Sequence, residues 1–231
     1  EEMEEMEGME GMEDGEEEED DDDDENDDDD EDEDEDDDEE DDDDDSGVTP
    51  LIVACKNGHI DAARLLLEKG AEVDRADKNG QTQLDIACAV GHVDVARLLL
   101  DNGAEVDRAK ESGETPLWTA CYNGHVDAAL LLLEKGAEVD RANKDGWTPL
   151  YSACQKGHVD AVRLLLEKGA EVDRARADGQ TPLFVACMKC HLDAARLLLD
   201  KGAEVDRAYE DGTTALLAVC AWGHVDAARL L

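Results

Sequence analysis

The stretch of this chain most suggestive of chemistry is Cys187-Met188-Lys189-Cys190-His191. It spells the Cys-x-x-Cys-His of c-type haem attachment. A second pattern places a cysteine four residues before a histidine, as in Cys55 and His59, and does so six times. Cysteine and histidine are zinc ligands, but a structural zinc needs four of them converging on one point. Neither pattern is isolated, however. Cys187 belongs to the series 55, 88, 121, 154, 187 and 220, and His191 belongs to an equally spaced series of histidines. Only Cys190 is new, standing where Gly58, Gly91, Gly124, Gly157 and Gly223 stand elsewhere. One substitution in a repeating unit thus generates the haem-like match, and we expect neither cofactor nor metal. A cysteine at a helix end that calls for glycine costs about 1 kcal/mol, so Cys190 is expected to be a weak point and an exposed thiol.

The elements that carry these residues recur with a fixed period. Threonine appears at 49, 82, 115, 148, 181 and 214, every 33 residues, and Gly-Ala pairs follow in register at 70, 103, 136, 169 and 202. Such a period marks a stacked-repeat architecture. Within one unit, Asn143-Lys144-Asp145-Gly146 is a turn signal. Thr148 then suits a helix N-cap and Pro149 the first helical position. A short helix is predicted to run to about Lys156 and to end at Gly157 in a left-handed conformation. A second helix is predicted from Val159 to about Lys168, and 171–175 return to the next turn. Neither helix can bury Leu164-Leu165-Leu166 alone, so stability must come from contacts between neighbouring units.

The frame Asp-x-x-Gly-x-Thr-Pro-Leu, then Ala, Gly-His, a leucine run and Gly-Ala, resembles the ankyrin repeat. Six units run 44–76, 77–109, 110–142, 143–175, 176–208 and 209–231, the last incomplete. The resemblance implies an all-α solenoid of helix-turn-helix units joined by short hairpin loops. It also implies protein binding through hairpin tips and first helices. Two departures stand out. The family's histidine after Thr-Pro-Leu is replaced by Ile52, Asp85, Trp118, Tyr151, Phe184 and Leu217, so the threonine–histidine hydrogen bonding implied by the family is not expected. Gln83 and Ala215 replace the proline, which should slightly weaken two helix starts.

Charge divides the chain in two. Residues 1–45 hold 37 of the 66 acids and no lysine or arginine; the rest carries 29 acids against 21 bases, a net of −8. Residues 1–43 are expected to be a disordered polyacidic tail. Its plain role is to solubilise; a sharper one is to bind basic proteins, as a histone chaperone does. The chain starts without methionine and stops inside a unit, which reads as a fragment, so a regulatory piece of a larger enzyme is a further alternative. No apolar run reaches the roughly 18–20 residues of a membrane span, and no signal peptide is visible. In-phase cysteines of neighbouring units should lie about 8–10 Å apart, too far for disulfides, which points to a reducing intracellular setting in cytoplasm or nucleus. The net negative charge disfavours nucleic acid. The arginines at 75, 108, 141, 174 and 207 form a ladder whose neighbouring acids should neutralise it. No phosphate loop or catalytic triad is present, and repetition opposes the single asymmetric constellation an active site needs. We therefore expect a non-enzymatic scaffold.

Variation among units points to the parts where a partner is expected to bind. The second helix is nearly copied each time, whereas the turn and first helix vary. All seven aromatics (Trp118, Tyr122, Trp147, Tyr151, Phe184, Tyr209 and Trp222) fall in those variable parts. Tyrosine and tryptophan are enriched in binding hot spots. The candidate partner-binding residues are Trp118, Tyr122, Trp147, Tyr151, Lys156, Lys189, Tyr209 and Trp222, with Tyr122 and Trp147 at the centre and Lys156 and Lys189 flanking them.

Overall fold

The threonines open the first helix of every unit. In the computed structural model, which describes residues 47–209 and 211–231, each threonine hydroxyl oxygen accepts the backbone N–H three residues on, at 3.1–3.3 Å. This satisfies one of the donors a helix start leaves unpaired. The first helices are α1 (Pro50–Lys56), α3 (Gln83–Val90), α5 (Pro116–Asn123), α7 (Pro149–Lys156), α9 (Pro182–Met188) and α11 (Ala215–Ala221). The second helices are α2 (Ile60–Glu68), α4 (Val93–Asp101), α6 (Val126–Glu134), α8 (Val159–Glu167), α10 (Leu192–Asp200) and α12 (Val225–Leu230). Among the described residues there is no strand and no helix long and apolar enough to cross a membrane. The acidic tail and residues 44–46 lie outside the described residues.

First helices pack on first helices and second on second, along the order of the units. Leu84, Leu117 and Leu150 of the first helices, and Leu99, Leu132 and Leu165 of the second, are wholly buried. Small residues between them, such as Ala87, Ala120 and Ala153, let the helices approach closely. Each fully buried leucine contributes about 1.5–3 kcal/mol. The in-phase cysteines belong to this core: Cys55, Cys88, Cys121, Cys154 and Cys187 are buried, and Cys220, over which no further unit packs here, is exposed. Burial pushes the Cys55 thiol up to about 12 and the Cys187 thiol up to about 11.

The histidines tie the units together. Nε2 of His92, His125, His158 and His191 lies 3.1–3.2 Å from the backbone carbonyl oxygen of Lys56, Ala89, Tyr122 and Gln155, each in the preceding unit. Their rings rest on the glycine that closes that unit's first helix. A Cβ on Gly157 would come within 2.5 Å of the His191 ring, so glycine serves both a φ of +75° and this contact. Cys190, with φ +57°, is the one non-glycine residue with positive φ among those described. The matching bond from His224 to Met188 is not made among the described residues; Cys190 holds the glycine position of that seam.

The return segments carry a second ladder. Carboxylates of Asp74, Asp107, Asp140 and Asp173 accept the backbone N–H of Glu105, Glu138, Glu171 and Glu204 in the next unit, at 3.0–3.4 Å. The arginine ladder is neutralised in part by the expected neighbouring glutamates, while the aspartates take another role. Arg108 and Arg174 pair with Glu105 and Glu171 at 4.0 and 3.4 Å, while these aspartates serve the backbone. The weak start expected at Gln83 also takes another form. Its helix begins normally, but the side chain is fully buried with both amide atoms unpaired.

Candidate protein-interaction groove

The turn and first helix of each unit sit side by side with those of the next, and the variable residues meet across that seam. Between the second, third and fourth units they line an open groove of about 460 Å³. Trp118, Tyr122 and Trp147 form its aromatic lining, with Gln81, Glu114, Asn123, Asn143 and Asp145 among the polar residues. Trp118 is only 5 % exposed and stacks on Tyr122, centroids 4.9 Å apart and planes 15° off parallel. Lys156 places its ammonium 4.3 Å from the Tyr122 ring centroid. The indole N–H groups of Trp118 and Trp147 are buried without a partner among the described residues. An unpaired buried donor costs about 1–3 kcal/mol.

The other candidates divide between packing and a separate surface. Tyr151 is 1 % exposed; its hydroxyl donates to Gln180 Oε1 at 2.7 Å, and Arg176 lies 5.7 Å from its ring centroid. That burial leaves Tyr151 no face to offer a partner. Tyr209 stacks on Phe184 with centroids 6.2 Å apart. Tyr209 and Trp222, the latter 72 % exposed, line a second groove of about 380 Å³ between the fifth and sixth units. Lys189 is exposed at the end of α9 and lines neither groove. The eight candidates thus do not form one surface.

Sequence reasoning missed a buried charge. Asp85 is 1 % exposed in the first turn of α3. It accepts hydrogen bonds from Thr119 Oγ1 at 2.6 Å and Gln81 Nε2 at 3.0 Å, and Lys110 Nζ lies 3.4 Å away. Lys110 also pairs with Glu114 at 3.0 Å. Loss of hydration on burial outweighs these contacts and raises the Asp85 pKa. Lys110 opens the turn of the unit after Asp85. Arg176 stands in the same relation to Tyr151, and Tyr209 to Phe184. The residue after leucine is therefore covered by the residue opening the next turn, with an ion pair, a cation over a ring and a ring stack in the three units. The available signal was a lone acid at 85 matched by a lone lysine at 110.

The haem-like and zinc-like patterns do not assemble. Cys187 is buried while Cys190 is exposed, and among the described residues no three histidines, cysteines or acids are grouped to hold a metal.

Comparison with known families agrees with this architecture. Models described as ankyrin repeats match residues 33–110, 107–176 and 183–231. No curated protein matches the chain. Six stacked helix pairs with capped starts, and family matches that span the whole array, lead to one assignment: this chain belongs to the ankyrin-repeat family.

Proposed function

We propose that this chain is a non-enzymatic scaffold that binds another protein through the groove lined by Trp118, Tyr122 and Trp147. Ankyrin repeats are in general protein–protein interaction modules. The observation that carries the placement is the concentration of three aromatic rings in one open groove built from variable positions. Two of them, Tyr122 and Trp147, are only partly buried. Rigid aromatics of this kind supply contact area at low entropic cost. Free, largely buried thiols support an intracellular setting.

The test is recovery of partners on the immobilised full chain. Tyr122→Ala with Trp147→Ala should abolish capture of partners that wild type retains. Asn123→Arg, which projects charge and bulk from an exposed lining position, should do the same without removing any buried ring. Retention of every partner by both variants would overturn the placement.

A further inference from the structure

Building on the groove as the binding site, we propose that the group it takes from its partner is a lysine or arginine side chain carried on a basic segment. Four features of the site converge on a cation. The lining offers the partly exposed rings of Tyr122 and Trp147, π systems that attract positive charge, with buried Trp118 stacked on Tyr122. It also offers two carboxylates, Glu114 and Asp145, the second exposed. Its single lysine, Lys110, is already engaged by Glu114 at 3.0 Å and Asp85 at 3.4 Å, so it has no charge to spare for an anion. The same row of rings already holds cations from the chain itself. Lys156 lies 4.3 Å from the Tyr122 centroid and Arg176 lies 5.3 Å from that of Trp147.

The larger field agrees. Residues 46–231 carry a net of −8 and the whole chain −45, so basic segments are drawn in and acidic ones repelled. An acidic peptide would have to place carboxylates beside Glu114 and Asp145. The cations nearest the lining are Lys144, beside Asn143 and Asp145 in sequence, and Lys156, held over the Tyr122 ring.

The chain carries its own control, because its three tryptophans are Trp118 and Trp147 in the groove and Trp222 outside it. Full-length chain labelled with ¹⁵N at the indole nitrogens is titrated with a capped Gly-Ser-Lys-Ser-Gly peptide, and with the same peptide carrying norleucine for lysine. The Trp118 and Trp147 indole signals should move saturably with the lysine peptide while Trp222 stays in place. The norleucine peptide should leave all three unmoved. Asp145→Asn should weaken the lysine peptide by about two- to fivefold, the range of one exposed charge contact. Equal shifts with norleucine, equal movement of Trp222, or no movement at all would overturn the cation assignment. If the shifts are absent and yet Tyr122→Ala with Trp147→Ala releases captured partners, the assignment fails while the groove's binding role stands. If that variant keeps every partner, the binding role itself has failed.

Discussion

Asp85 shows how one side chain can decide the character of an interface. Its carboxylate is removed from water, and Lys110, Thr119 and Gln81 only partly offset the loss. The sign of its pH effect follows. A pKa raised in the folded state means that the native chain binds this proton more tightly than the unfolded one. The site therefore opposes folding while Asp85 is charged, and the penalty is relieved as pH falls through the raised pKa toward the ordinary 3.8. Asp85→Asn should remove that component. Urea midpoints at pH values from about 7 down to about 4 should fall more steeply for the variant than for wild type; parallel lines would contradict the assignment. Cys190 is the second such residue. With φ +57° at a position that is glycine in the other units, it holds a backbone conformation strained for a side chain. Cys190→Gly should raise stability by about 1 kcal/mol in denaturant unfolding, and no gain would mean that the seam has already relaxed around the thiol.

Helix ends do more in this protein than stop helices. Gly157 and Gly169 both have left-handed backbone, with φ +75° and +90°. A Cβ at Gly157 meets the His191 ring at 2.5 Å, whereas one at Gly169 meets nothing within 4 Å. Alanine at 169 should therefore cost about 1 kcal/mol from backbone strain alone. Alanine at 157 should cost about 1–3 kcal/mol more through overpacking and the displaced histidine, measured as the difference in unfolding free energy. Equal costs would show that the histidine ladder contributes nothing. These elements were legible in the sequence to within a residue. The helix predicted to reach about Lys156 is Pro149–Lys156, and that predicted from Val159 to about Lys168 is Val159–Glu167. Caps, glycines and the leucine run act locally and leave a local signature. The pairing of Lys110 with Asp85, or of Arg176 with Tyr151, could not be read the same way. Each side chain meets a partner in another unit, and that meeting exists only after stacking. For the same reason the position after leucine gave no guide to exposure: Tyr151 there is buried, while Leu217 is exposed.

At the scale of the molecule, stability is a chain of similar interfaces, each differing in the pair that closes it. The sixth unit has its first helix covered on one side only. Leu216 is 39 % exposed, although Leu84, Leu117 and Leu150, in the same position, are wholly buried. Repetition builds the stacked array, and departures from repetition at Trp118, Tyr122 and Trp147 line the groove proposed as its binding site. The most direct test compares the binding of one recovered partner to full-length wild type, Tyr122→Ala with Trp147→Ala, and Trp222→Ala, with unfolding followed on the same samples. The groove account predicts a loss of about 2 kcal/mol or more, at least about thirtyfold in Kd, for the double variant, an unchanged Kd for Trp222→Ala, and folded protein in all three. Equal affinity for wild type and a folded double variant would contradict it.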